Sequence, residues 1–232
     1  MSDAPTAVPE MADPLEALRA ECELVSKTAF VLSEEDFARP TRCLAWDVKG
    51  LLGHMYRAVE RLNNALERTA PVAPDTNSIS YWRGYDRLAD APDIADRALE
   101  LADSYPTGRG LAEAWDQMWR GALDAVAAAD RGRVVVTWGP ALTLGEFLKT
   151  RVLEITVHRM DLDAALGHKG WGTDEAVSII DDILVGLLGQ EPPDELDWDV
   201  VEFIEAGAGR RALSAEEREI LGPLADRFPL IG

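Results

Sequence analysis

The sequence predicts an all-α protein: a four-helix bundle with additional C-terminal helices. Three observations lead to the helical class. Apolar residues recur at positions 48, 52, 55, 59, 62 and 66, the spacing of one helix face. Several segments open on a capping residue and close on glycine or proline. The one extended stretch, "VVVTWGPA" at 134–141, offers too little β pattern for a sheet of any size.

Residues 1–11 read as a disordered lead-in. Over 12–32, Asp13 is a cap, Pro14 fits the first turn and Glu16 stands three after the cap, so a helix starts there. "SEEDFARPTRCLA" reads as a loop. Residues 46–70 form the second helix, with Asp47 as N-cap and Pro71 beyond its end. A long polar connection at 71–92 contains "SYWRGYDR", and loops of that length are often functional. Helices are expected at about 92–104 and 110–130. Thr143 and Glu146 form a capping box for a helix over 143–167 that closes at Gly167. Residues 173–189 give another capped helix, and "DVVEFIEAG" and "SAEEREILG" two short ones. The expected organisation is therefore a lead-in at 1–11, a bundle at 12–167 and a helical extension at 168–232.

Composition narrows the partners. The chain has 232 residues, 47% of them hydrophobic, enough for one sizeable core. A formal net charge of −19 argues against nucleic acid and against anionic membrane surfaces, which both select clustered Lys and Arg. No run of about 18 apolar residues predicts a membrane span, and the acidic, Pro-rich start lacks a signal peptide's pattern. Two cysteines without a CxxC pair fit a reduced, cytoplasmic setting. Cys22 reads as helix packing and Cys43 as a loop thiol.

Winding 143–167 at about 100° per residue sorts its side chains. Lys149, Thr156, Arg159 and Asp163, with Val152, fill one narrow arc, the expected solvent face. Arg151, Glu154, His158 and Asp161 lie opposite, where a bundle helix turns inward. Buried charges are costly unless paired or bound to metal. In one reading, Arg151 pairs with Glu154 or Asp161 and His158 is a satisfied core histidine. In the other, Glu154 and His158, four apart, aim at one metal ion. Three histidines exist in the chain. His54 sits mid-helix beside the small residues Ala58 and Ala65, and His168 reads as an exposed helix-end residue. Two core-type histidines, one with a glutamate partner, point to a His2Glu site. Such a set leaves a coordination position open, as catalytic zinc requires.

The motif "WDVKGLLGH" at 46–54, with "TLGEFLKTRVLEITVHRMDL" at 143–162, resembles the DinB-like metalloenzymes of actinobacteria. The branch it is similar to is named for mycothiol-dependent maleylpyruvate isomerase, and the resemblance covers about residues 12–167. It implies a four-helix bundle holding one divalent metal, usually zinc, by His54, Glu154 and His158. It also implies that the low-molecular-weight thiol mycothiol binds as a metal-bound thiolate at the open position. The namesake's C-terminal α/β domain contributes an arginine to substrate binding; here the tail reads as helical, and no role carries over to Arg210 or Arg211.

The expected function is a mycothiol-dependent S-transferase acting on a small electrophile. The alternatives are a cis–trans isomerase of the maleylpyruvate type and a non-catalytic bundle that binds a small ligand. Asp161 is the candidate catalytic partner of His158, accepting a proton from its ring; the competing reading is a salt bridge to Arg151. Arg57 and Arg61, one and two turns after His54, are candidates to meet an anionic substrate or the thiol cofactor, or else are surface charges. Trp82 and Arg83, beside Tyr81, are candidates to cover the pocket, or else anchor their loop. The sequence leaves oligomeric state open.

Overall fold

The computed structural model describes residues 12–68, 72–84, 87–137 and 139–231. The lead-in expected at 1–11 lies outside the described residues. Helix α1 (Pro14–Ala29) begins where Asp13 accepts a hydrogen bond from the Leu15 amide. Helix α3 (Val48–Glu67) begins where Asp47 accepts from the Gly50 amide. Helix α6 (Gly108–Ala127) begins at Thr107, α7 (Leu144–Ala165) at Thr143 and α8 (Asp174–Leu188) at Thr173. Each cap satisfies an amide that the first turn leaves without an intrahelical partner. Helices α9 (Val200–Gly207) and α10 (Ala215–Leu221) follow, each opened by a reciprocal capping box.

Several expectations are corrected. The loop before α3 contains a short helix, α2 (Glu34–Phe37), opened by a Ser33–Asp36 capping box. The long connection at 71–92 holds α4 (Ser78–Arg83), where Asn77 and Ser80 cap each other. Helix α5 (Arg87–Asp103) starts earlier than residue 92, because Pro92 is tolerated inside it at the loss of one backbone bond. The extended stretch is a hairpin: β1 (Val134–Val136) pairs antiparallel with β2 (Ala141–Thr143), Val135 opposite Leu142. At Thr143 only half of the capping box forms. Its hydroxyl accepts from the Glu146 amide, but the Glu146 carboxylate accepts from Ser78 and Lys149 instead.

Four helices make the bundle. α1 touches α6 and α7, and α3 touches the same two, so α1 faces α3 across one diagonal. α5 lies against α3, while α8 lies against α7 and α1. One apolar core runs through all of them and includes Ile180, Leu184 and Phe203 of the C-terminal part. The α3–α5 approach needs glycine at 53, since a Cβ there would stand 2.6 Å from the Ala98 carbonyl oxygen. That close approach fixes the turn that carries His54.

The middle of the expected solvent arc of α7 is buried, while Lys149 and Asp163 stay partly exposed. Thr156 and Val152 are fully enclosed and Arg159 is 7% exposed. The winding assumed a free outer face, but residues 170–173 and α8 cover it. A Cβ on Gly172 would lie 2.8 Å from the Thr156 methyl carbon. Arg159 meets this burial by pairing. Its Nε donates to Glu21 Oε2 of α1 at 2.6 Å and its Nη1 to Asp163 at 3.2 Å. The other Glu21 oxygen accepts the Thr173 amide at 2.7 Å, tying α1 to the start of α8. Glu21→Ala leaves the Arg159 guanidinium buried without its main counter-charge, and we expect a loss of about 3–5 kcal/mol. The urea unfolding midpoint checks it; a midpoint within error of wild type would show that water replaces the carboxylate.

Candidate metal centre

α3 and α7 are neighbours in the bundle, and their facing sides bring His54, Glu154 and His158 together. His54 Nε2 lies 2.9 Å from Glu154 Oε1. His158 Nε2 lies 4.0 Å from the same oxygen. The two imidazole rings meet edge to face at 4.6 Å between centroids. Trp46, in the loop ahead of α3, stacks on His54 at 4.4 Å with 21° between planes. The donor atoms of the three side chains all lie within 4.8 Å of one another. Tetrahedral bonds of about 2.1 Å hold ligand atoms roughly 3.4 Å apart, so small side-chain shifts bring these three onto one ion.

Protonation follows from the surroundings. Burial, and then the neighbouring His158 charge, push His54 down to about 4, so it is a neutral imidazole. Burial also works against a charged His158, but the hydrogen bonds to Asp161 and Cys43 outweigh it and raise the group to about 9. Glu154 is enclosed, which favours its neutral form, yet His54 and the Arg151 charge hold it well below the usual carboxylate range. Asp161 behaves likewise, held down by His158 and Arg210 against its burial.

Asp161 is fully buried, and its Oδ2 lies 3.0 Å from His158 Nδ1. An ionised carboxylate has no proton to give, so Nδ1 carries the hydrogen of this contact; Nε2, protonated as well while the group stays near 9, faces Glu154 and is the nitrogen on which a metal would replace the proton. Arg151 takes no part in this pairing. It donates to Thr150 Oγ1 at 3.2 Å, stands 3.9 Å from Glu154 Oε2 and lies over the Phe147 ring at 5.0 Å.

A second group of three, Cys43, His158 and Asp161, also has converging donor atoms. Its chemistry suits a metal less well. Arg42 Nε and Arg210 Nε reach Asp161 Oδ1 at 3.1 and 2.9 Å, and Arg210 Nη2 reaches Oδ2 at 2.8 Å. Two guanidinium groups already supply the positive charge there, and a further cation would meet both. At the His54, Glu154 and His158 set one guanidinium, that of Arg151, stands 3.9 Å from Glu154 Oε2, and Oε1 is left to the two imidazoles.

The remaining sequence candidates fall in different places. Arg57 pairs with Glu60 on its own helix at 2.8 Å. Arg61 is half-buried, and its charge adds to the forces keeping His54 neutral. Trp82 packs edge-on to Tyr81 at 5.4 Å and borders the core. Arg83 donates to the Gly186 carbonyl at 2.9 Å, joining α4 to α8. Arg211 pairs with Glu217 at 2.7 Å and lies over Trp198. The sequence reading passed over Arg42, took Cys43 only as a loop thiol and Trp46 only as a motif residue, although all three precede the His54 helix. Arg210 had no local signal, since it reaches Asp161 across 49 residues.

The family described as "Mycothiol maleylpyruvate isomerase N-terminal domain" matches residues 18–163, more than half of the chain. One solved structure is similar: the crystal structure of a histidine-to-alanine mutant of the mycothiol-dependent maleylpyruvate isomerase. It is 18% identical, with 78% of this chain and 70% of that chain covered and a TM-score of 0.49. No curated protein matches the chain by sequence.

Two outcomes are expected at this site. Protein loaded with zinc and desalted should retain about one equivalent, while His54→Ala and His158→Ala should each retain less than about a tenth, by elemental analysis. Asp161→Asn should keep its metal but bind it about 10–100-fold more weakly in chelator competition, because the His158 ring loses its orienting acceptor.

Proposed function

The chain belongs to the family of the mycothiol maleylpyruvate isomerase N-terminal domain, and from that premise we propose that it is a metal-dependent enzyme using mycothiol as its thiol cosubstrate. The observation that carries the reading is the approach of His54, Glu154 and His158 donor atoms to within 4.8 Å of one another, with both imidazole Nε2 atoms nearest Glu154 Oε1. Two imidazole nitrogens and one carboxylate oxygen fit zinc, and also nickel, iron or manganese. The residues present therefore fit the group that the family implies. When bound, the metal supplies the charge that keeps a thiol ionised near neutral pH.

The protein's own groups do the rest. His54 presents a neutral nitrogen, held in orientation by Trp46. His158 presents Nε2 because Asp161 takes the Nδ1 hydrogen. Glu154 brings the only negative charge of the three, so the site keeps net positive charge toward a sulfur anion. Three protein ligands leave room for that sulfur.

The thiolate then attacks an electrophilic carbon of a small substrate. In S-transfer, the leading reading, a C–S bond forms and the displaced electron pair departs with the leaving group. Isomerisation is the second reading, favoured by the family's description: sulfur adds to a conjugated double bond, the C–C bond rotates, and the same sulfur leaves. Both begin with the same ionised thiol, so the ligand set serves either. The described residues include no helix long and apolar enough to cross a membrane, and the net charge of −19 supports a small-molecule substrate over nucleic acid.

Turnover of the metal-loaded protein with mycothiol, against maleylpyruvate and against a panel of alkylating electrophiles, separates the two chemistries. Conjugate accumulation is expected from the panel, and loss of the maleyl isomer without thiol consumption would assign isomerisation instead. Equal rates in wild type and His158→Ala would remove the enzyme reading. Mycothiol at about a hundredfold excess over its Kd should also raise the melting temperature of the metal-loaded protein by roughly 5–10 °C, and leave the metal-free protein unchanged.

A further inference from the structure

Asp161 is the most heavily bonded carboxylate near the ligands. Its Oδ2 accepts from His158 Nδ1 at 3.0 Å, from Arg210 Nη2 at 2.8 Å and from the Cys43 thiol at 3.2 Å. Its Oδ1 accepts from Arg210 Nε at 2.9 Å and Arg42 Nε at 3.1 Å. Arg210 is itself fixed from behind. Its Nη1 donates to the Ala208 carbonyl at 2.8 Å, and its amide donates to the Glu205 carbonyl at 2.7 Å. Between them Gly209 takes a φ of +69°, a left-handed turn that ends α9 and aims residue 210 back at α7. Arg42 closes the arrangement by pairing with Glu205 of α9 at 3.0 Å.

We propose that Arg210 is a positioning residue of the metal centre, so that the segment after α8 completes a site whose ligands all stand on α3 and α7. The proposal rests on the reading that His54, Glu154 and His158 hold the metal. A carboxylate alone can rotate about its Cβ–Cγ bond, which would swing Oδ2 away from the imidazole. A guanidinium bonded to both oxygens through Nε and Nη2 fixes the carboxylate plane as well as its charge. Oδ2 then stays on His158 Nδ1, and His158 Nε2 stays on Glu154. Arg210 lies beyond residues 18–163, the part that the family match covers. This contribution therefore belongs to the chain's own C-terminal segment. A lysine in its place keeps the charge and loses the two-point geometry.

The simpler alternative is that Arg210 only staples α9 to the bundle. The two differ in metal affinity, which a staple does not set. The experiment uses full-length protein, zinc in competition with a chelator, and the visible absorption of the cobalt(II)-loaded form. Arg211→Met is the reference, because it removes a neighbouring ion pair of the same segment, with Glu217 rather than Asp161. Arg210→Met should raise the zinc Kd about 10–100-fold and shift the cobalt bands, while Arg211→Met should stay within about twofold of wild type. Should Arg210→Met fail to fold, Arg210→Lys serves, with a melting temperature near wild type and a zinc Kd still raised at least about fivefold. A Kd within about twofold of wild type in the folded Arg210 variant would overturn the proposal, as would an equal loss in Arg211→Met. Wild-type protein that binds no zinc, or binds it as well after His158→Ala, removes the metal reading itself and this proposal with it.

Discussion

Helix α7 is enclosed on all sides along most of its length, and much of the molecule follows from that constraint. α1 and α3 cover it from inside the bundle, and α8 with its leading segment covers it from outside. Yet its sequence carries Arg151, Glu154, His158, Arg159 and Asp161, all buried or nearly so. A charged group in such a place must find a partner or force the helix to stay wet. Arg159 takes Glu21 of α1 and Asp161 takes Arg42 and Arg210, all from distant parts of the chain, while His158 takes Asp161 one turn along its own helix. These pairs therefore bind the bundle to the segments around it. They also sort the polar groups of α7 into an arc toward α1 and α8 that is rich in ion pairs, and an arc toward α3 that holds Glu154 and His158.

The same logic explains why two groups of converging donors behave differently. Around Asp161, two arginines and one imidazole face one carboxylate, so negative charge is the scarce quantity. Around Glu154, one carboxylate meets two imidazoles, of which His54 is neutral because it is buried beside a charged neighbour. There a single guanidinium, that of Arg151, stands at one carboxylate oxygen, and the other oxygen is left to the two imidazoles. His158 joins the two halves through its two ring nitrogens, and what holds one nitrogen decides where the other points.

The sequence carried several helix starts well, because a cap is a local event: Asp13, Asp47, Thr143 and Thr173 each stand within three residues of the amide they satisfy. It carried His54, Glu154 and His158 as one set, since helical spacing and the family motif agreed on them. It misread 71–92 as a loop, where Asn77 and Ser80 cap a single short turn that has no periodicity to detect. It misread the outer face of α7, because the pattern of Lys149, Thr156, Arg159 and Asp163 is polar whether water or a fifth helix covers it.

Composition, capping and 3.6-residue spacing thus determined the helical class, the order of the main elements and the side of α7 on which Glu154 and His158 lie. Those are properties of a helix wound on its own axis. Tertiary structure decided which buried charge met which. Asp161 stands three residues after His158 and ten after Arg151, and spacing allowed either as its partner. Packing gave it His158, and then Arg210 from the turn after α9. A side chain's partner across the fold depends on where two remote backbones come to rest, and no local pattern encodes that distance.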